Sequence, residues 1–373
     1  MIAAALIAKP GGHPPRRRGG SRWAFAAAIA SLTLCLWSAA QITPDVARAQ
    51  SQTSRVYFTY CGLEDKPAAC SLRSMSEDLE GVQQVQGMPE WFDDCGQDAG
   101  LASTTVSQDG LIAVTLEDTS PAPGTFADTP VCHLLVTNLA TGQSRELPGD
   151  SGRIMRTVQG VGWSISPNGR YIAIQGKSAV YIQDLQAGTP PRAVSTGFAV
   201  SGVGWYPDSS TLLVDGPSLP GGGRGPIGTE NRLFKITLSG DKLGRWLIKP
   251  YPAYLVTTPF IQIGPAGQVY AGVQQFYDPK FGGKPNMPAG YYALTLRRQP
   301  KARLIARAPG GGYLEPVASF GLDTSSGLIF VAGGFRKICS ATIVGDTRHC
   351  VTFPGSSEVI SLSGVQVVLT PPS

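Results

Sequence analysis

A cysteine stands next to a histidine at two places in this chain, and these two pairs have its clearest metal-binding chemistry. Beyond residue 49 the only histidines are His133 and His349. His133 directly follows Cys132, and His349 directly precedes Cys350. Two thiolates and two imidazoles can bind zinc, but no C-x2-C or H-x3-H spacing is present. Adjacent residues of a strand point to opposite faces, so one side chain of each pair would turn away from a shared site. We therefore expect disulfide-bonded cysteines and exposed histidines, with no metal and no cofactor.

Residues 149–152 (Gly-Asp-Ser-Gly) are a second candidate, because a serine becomes a nucleophile when a neighbouring base activates it. This tetrapeptide resembles the nucleophile motif of trypsin-like proteases. Arg153 follows where that motif has a further glycine, and no histidine motif lies upstream in a suitable context. Residues 162–166 (Gly-Trp-Ser-Ile-Ser) lack the last glycine of the G-x-S-x-G hydrolase motif. We expect a turn at 149–152 and assign no catalytic residue.

An acidic cluster lies at Glu90, Asp93 and Asp94, beside Trp91. A pair of carboxylates next to an aromatic ring is an arrangement that glycoside-processing enzymes use. The same residues also fit an exposed loop that ends at Cys95, and we favour the loop.

Two loop-like segments are better candidates for binding. Residues 221–228 are glycine-rich, but nearby prolines are incompatible with a phosphate-binding loop, which needs a strand before it and a helix after it. Residues 276–292 carry aromatics and two lysines between two predicted strands, and such loops often form contact surfaces. A long hairpin with locally packed aromatics is the alternative for 276–292. The binding residues predicted from the two segments are Arg224, Phe276, Tyr277, Lys280, Phe281 and Lys284.

The N-terminus has the pattern of a targeting segment. A cluster of arginines precedes the apolar residues 23–40, and Ala47-Arg48-Ala49 follows as a small-x-small cleavage signal. We predict a signal peptide over 1–49, with an uncleaved anchor as the alternative, and a periplasmic or secreted mature chain without a membrane span. Of 31 basic and 26 acidic residues, six basic and one acidic precede residue 50, which leaves 25 of each. This near-neutral mature chain gives no support to a nucleic-acid partner.

Six cysteines remain beyond residue 49, and an even number in an exported protein favours disulfides. Fifteen pairings are possible. Cys61–Cys70 and Cys339–Cys350 would each close a loop of hairpin size, which would leave Cys95–Cys132 as the third bridge.

A repeated unit runs through residues 95–353. In its clearest copy, residues 166–169 (Ser-Pro-Asn-Gly) form a predicted turn, because proline sets one corner and Asn-Gly tolerates a positive φ. Strands are predicted at 171–174 and 180–185. Related turn and strand sequences begin near residues 106, 203, 263 and 322. This spacing of roughly 40 to 60 residues is typical of four-stranded propeller blades.

The ends of the chain supply the remaining strands. Residues 56–60 are strand-like without a preceding turn motif, and residues 359–369 are apolar but too short for a full unit. Together they would complete a sixth blade and close the ring. We therefore predict an all-β domain over 50–373, a six-bladed propeller of four-stranded antiparallel blades. Seven blades are the alternative, if residues 70–100 contain a blade of their own.

The unit at 161–185 resembles the WD-like repeat of TolB-type β-propellers, the periplasmic partners of the Tol–Pal system, and that of prolyl-oligopeptidase-like enzymes. The resemblance implies a fold unit rather than an activity. We expect a free-standing exported propeller, without catalysis, that binds another envelope or secreted protein. The alternative is a hydrolase or lyase acting on glycan or peptide at the central channel, for which convergent acidic residues or a histidine would be needed.

Overall fold

All regular elements of the described chain are β-strands. The computed structural model describes residues 53–62, 69–92, 104–118, 132–147, 162–197, 200, 202–217, 231–248, 254–277, 289–297, 301–307, 320–332, 336–344, 348–354 and 360–370. Across these ranges there is no helix with the length and hydropathy that a membrane crossing requires.

The strands form six blades, I to VI. Within each blade the strands are given from the innermost to the outermost. Blade I contains β25 (Ile360–Thr370), β1 (Thr53–Gly62), β2 (Ala69–Met75), β3 (Gln83–Gln84) and β4 (Trp91–Phe92). Blade II contains β5 (Thr104–Val106), β6 (Ile112–Asp118), β7 (Cys132–Asn138) and β8 (Gln143–Glu146). Blade III contains β9 (Trp163–Ile165), β10 (Tyr171–Gln175), β11 (Ala179–Asp184) and β12 (Arg192–Ser195).

The other three blades follow the same order. Blade IV contains β13 (Gly202–Trp205), β14 (Thr211–Pro217), β15 (Asn231–Thr237) and β16 (Lys242–Ile248). Blade V contains β17 (Tyr254–Ile263), β18 (Val269–Tyr277), β19 (Gly290–Thr295) and β20 (Lys301–Arg307). Blade VI contains β21 (Phe320–Asp323), β22 (Leu328–Ala332), β23 (Lys337–Thr342) and β24 (Arg348–Thr352).

The first turns of blades II and III have the geometry that their sequences predict. In blade III, Ser166 Oγ donates to Asn168 Oδ1 and accepts from the Tyr171 N–H, while Gly169 adopts a φ of 67°. Blade II repeats this pattern with Ser107 and Asp109. A short polar side chain thus holds the turn closed, and glycine supplies the positive φ.

The chain ends close the ring, as predicted. β25 pairs antiparallel with β1 from Thr53↔Thr370 to Gly62↔Ile360, with a bulge near Tyr57. β25 is the innermost strand of blade I, and β1 to β4 complete that blade. β3 and β4 both pair with β2, at its two ends. The seven-blade alternative is wrong, because the described residues 69–92 belong to this closing blade.

Apolar layers between neighbouring blades form the core. Tyr171 of blade III stacks on Trp205 of blade IV at 6.2 Å between ring centroids. Tyr291 of blade V packs edge-on against Phe320 of blade VI at 5.4 Å. These contacts hold the sheet face of one blade against that of the next.

Two of the predicted disulfides are present. Cys61–Cys70 joins β1 to β2, and Cys339–Cys350 joins β23 to β24, each between directly paired strand positions. The bridge Cys95–Cys132 stays a prediction, because Cys95 and the side chain of Cys132 lie outside the described part of the chain.

Candidate functional site: the central channel

The six innermost strands converge on one cavity of about 240 Å³. Each blade contributes to its wall, from β5, β9, β13, β17, β21 and β25. The described wall is neutral and combines hydroxyl, amide, aromatic and aliphatic groups, among them Thr105, Ser164, Gln262 and Trp163. The ring closure therefore creates a site that no single blade contains.

The two ends of the channel differ in the segments around them. Each innermost strand of blades II to VI runs into a short turn, so these turns share one face, here called the turn face. The opposite face, the entry face, is where the innermost strands begin. The second strand of a blade returns to the entry face: Asp215, near the end of β14, pairs with Gly202, and Tyr277, at the end of β18, pairs with Tyr254.

This strand order bears on the binding segments predicted from the sequence. Segments 218–230 and 278–288 both follow the second strand of a blade, so their described anchors lie at the entry face. Phe276 and Tyr277 end β18, and their side chains are not described. Arg224, Lys280, Phe281 and Lys284 lie outside the described residues, so their role in binding stays a prediction.

Side chains from neighbouring blades pair with the backbone edges of the innermost strands. Gln366 Oε1 of blade I accepts the Val106 N–H of blade II at 3.0 Å. Trp205 Nε1 of blade IV donates to the Ser164 carbonyl of blade III at 2.9 Å.

The same pairing continues elsewhere in the ring. Gln262 of blade V donates to the Phe320 carbonyl of blade VI. Within blade III, Gln175 Oε1 accepts the Gly162 N–H at 3.1 Å. An edge strand otherwise presents unpaired backbone groups, so these contacts stabilise the channel wall and lock adjacent blades in register.

Two glycines allow innermost strands to approach each other closely. A Cβ at Gly321 would lie 2.8 Å from the Gln366 carbonyl carbon, and one at Gly204 would lie 2.7 Å from Ile261 Cγ2. Such distances exclude a side chain unless the backbone shifts. Glycine at these positions keeps β21 against β25 and β13 against β17.

Two buried donors of the wall have no hydrogen-bond partner among the described residues, the indole N–H of Trp163 and the amide nitrogen of Gln366. Buried polar groups are usually satisfied, and both of these are donors. These two donors are therefore exceptions within the described wall.

The most strongly perturbed carboxyl groups lie on the turn face, at the seam between blades VI and I. Burial raises the pKa of Glu77, and the hydrogen bond and negative charge of Asp323 raise it further, to about 7 despite opposing bonds from Ser54 and Ser326. Burial also acts to raise the pKa of Asp323, but hydrogen bonds from Glu77, Ser325 and Ser326 outweigh it and lower that pKa. The pair thus shares a proton and joins the first and last blades.

In each of the two Cys–His pairs, one described side chain has a partner other than a metal ion. Cys350 is bridged to Cys339, and His133 contacts the Glu146 carboxylate. Within the described ranges, no group of three or more His, Cys, Asp or Glu side chains is placed to hold a metal ion. The acidic cluster is described only in part: Glu90 is exposed, Trp91 is buried, and Asp93 and Asp94 lie outside the described residues.

Sequence reasoning missed the residues that pair with the channel edges. Gln262, Gln366 and Trp205 act on positions in other blades, and Gln366 is 260 residues from its partner Val106. Their position in the repeat could have identified two of them, because Trp205 and Gln262 lie one and two residues before the turn of their repeat.

No protein-family model and no curated protein matches this chain. Among solved structures, TolB from Acinetobacter baumannii is similar with a TM-score of 0.52 and 10% identity, over 84% of this chain and 66% of that one. Hydrazine synthase of Kuenenia stuttgartiensis has a TM-score of 0.45 and 12% identity, over 76% and 75%. A putative TolB from Agrobacterium tumefaciens has 0.43 and 12%, over 86% and 99%. The chain thus has the fold of TolB-like propellers and spans just under two thirds of the A. baumannii protein.

Proposed function

We propose that this protein is an exported, non-catalytic β-propeller that binds a segment of another envelope or secreted protein at the entry face of its channel. The observation that carries the proposal is the neutral cavity at which all six innermost strands meet. The TolB-like fold supports a scaffold role, and the two disulfides fit an oxidising compartment.

The size of the cavity favours an inserted protein segment over a separate small ligand. Small-molecule sites usually measure about 300–1,000 Å³, whereas this cavity measures about 240 Å³. One or two side chains from a partner would fill it. The aromatic and aliphatic groups of the wall would give such a segment apolar contact.

A matched pair of serine substitutions tests the site. Ser164 lines the cavity, whereas Ser210 is exposed on the turn face of the next blade. The full chain, with its residues 1–49, is expressed with a C-terminal tag, recovered from the cell envelope and analysed for bound proteins by mass spectrometry. We expect Ser164→Arg to lose a partner that the unchanged chain and Ser210→Arg both retain, because a buried guanidinium blocks the cavity.

Thermal unfolding of each variant separates a blocked site from a damaged fold. If Ser164→Arg melts with the unchanged chain and still captures the same proteins, the channel is not the binding site. Recovery of the full chain only from the cytoplasmic fraction would contradict export.

A further inference from the structure

Charge is unevenly distributed around the ring. In the described parts of blades V and VI, the only acidic residue is Asp323, which is buried. The basic residues there are Arg297, Lys301, Arg303, Arg307, Arg336, Lys337 and Arg348. In the described parts of blades I and II, acids predominate: Glu77, Asp78, Glu80, Glu90, Asp109, Glu117, Asp118 and Glu146, against Arg55, Arg73 and Arg145. A chain with 25 bases and 25 acids beyond residue 49 thus has a strongly basic sector.

Strand register places three of these cations in one groove between blades V and VI. Arg303 pairs with Ala293, which packs in the apolar layer between the two blades, and Lys301 lies two residues away on the same sheet face. On blade VI, Lys337 alternates with Cys339 and so shares its face, and Cys339 belongs to that same layer. Lys301, Arg303 and Lys337 therefore line what we call the V–VI groove, and all three are exposed.

The three cations follow the height of the ring. Lys301 begins β20 at the turn face, and Lys337 begins β23 at the entry face. Between them, Arg303 Nη1 donates to the Ile343 carbonyl at 3.0 Å, which fixes this side chain across the two blades. At about 3.3 Å per residue, the seven residues of β20 span about 23 Å. An extended peptide of similar length would reach every cation of the groove.

Protection of an exposed strand edge does not account for all of this charge. Lysines on edge strands discourage unwanted strand pairing, and β20 is the outermost strand of blade V. Lys337, however, lies on β23, which is paired on both sides, by β22 and β24. Among the described residues, none of the three cations of the groove forms a salt bridge. The groove therefore presents cations that a partner with negative charge would neutralise.

We propose that the V–VI groove binds an extended acidic segment of a partner protein, whose carboxylates pair with Lys301, Arg303 and Lys337. The linear arrangement favours this occupant, because a flat lipid surface would contact cations on one face of the ring, whereas Lys301 and Lys337 lie at opposite faces. This surface is separate from the channel, so it does not depend on the function proposed above.

Fluorescence anisotropy on the purified full chain tests the groove with a labelled octapeptide of alternating Glu and Ser, and with its Gln–Ser counterpart. We expect the Glu peptide alone to bind, and its affinity to fall as salt rises. The triple variant Lys301→Gln, Arg303→Gln, Lys337→Gln should bind it about tenfold more weakly, since each exposed ion pair contributes modestly. The control Lys177→Gln, Arg192→Gln, Lys242→Gln removes the same charge from exposed positions on blades III and IV and should change little.

Five results would overturn the proposal. The first four are no binding of the Glu peptide at low salt, equal binding of both peptides, an equal loss in both triple variants, and binding of the unchanged chain to phosphatidylglycerol vesicles through these cations without peptide binding. The fifth is occupation of the groove by a second copy of the chain, which light scattering at each protein concentration detects. Melting curves show whether the variants remain folded.

Discussion

At the scale of single residues, the channel wall depends on a few side chains that act across blades. Gln366, Gln262 and Trp205 pair with backbone groups of neighbouring blades or their edges. A lost partner leaves a buried backbone group unsatisfied, which costs more than the bond itself contributes. These residues therefore determine both the shape of the site and part of its stability.

Gln366→Leu should destabilise the protein by about 1–2 kcal/mol, because the Val106 N–H loses its acceptor at the channel. Gln366→Glu keeps an acceptor oxygen at the same position and is the matched control. Urea unfolding followed by circular dichroism measures both. A loss in Gln366→Glu as large as that in Gln366→Leu would show that the bond to Val106 has no special role.

The Glu77–Asp323 pair predicts how the seam between blades VI and I responds to pH. Glu77 has a pKa raised from 4.5 to about 7, so its contribution to stability is complete below about pH 4.5 and is lost as pH rises to about 7. Asp323 has a lowered pKa, so its contribution is present above about pH 3.8 and is lost as pH falls further. The seam should be most stable between about pH 3.8 and about pH 4.5.

Glu77→Gln removes the titration of Glu77 but keeps a donor for Asp323. We expect the melting temperature of this variant to change less between pH 5 and pH 8 than that of the unchanged protein. Glu80→Gln, an exposed position of the same turn, serves as the control and should keep the original pH dependence. Identical pH profiles for Glu77→Gln and the unchanged protein would refute the shared proton.

At the scale of elements, local sequence accounts for the turns and long-range packing accounts for the wall. Residues 166–169 specify their turn through short-range bonds, so the repeat and its blade period were predictable. Gly204 and Gly321 are different, because their need for glycine arises only where two strands from separate blades meet. Nothing in the neighbouring sequence marks them, and the same holds for Glu77 and Asp323.

Gly321→Ala should destabilise the protein by about 1–3 kcal/mol, because its Cβ would meet the Gln366 and Val367 backbone at 2.8–2.9 Å and force β21 from β25. Gly62→Ala is the control, since a Cβ there meets nothing within 4 Å. Thermal unfolding of the two variants gives the difference. Equal melting temperatures would mean that the innermost strands tolerate wider spacing.

At the scale of the whole molecule, ring closure unites the chain ends and creates the channel. The strand character of residues 56–60 and 359–369 was enough to predict a shared sixth blade, and β1–β25 pairing confirms it. The candidate site was less predictable, because the residues around the cavity come from six blades and only the ring brings them together. The basic sector was likewise hidden by a net charge near zero beyond residue 49.

The most direct measurement of the central claim is photo-crosslinking in cells that export the full chain. Para-benzoylphenylalanine replaces Trp163 in the channel wall or, as a matched aromatic control, Tyr206 on the turn face. If the channel binds a protein segment at its entry face, irradiation yields one covalent protein adduct from position 163 and none from position 206. No adduct from position 163, or the same adducts from both positions, would contradict the account.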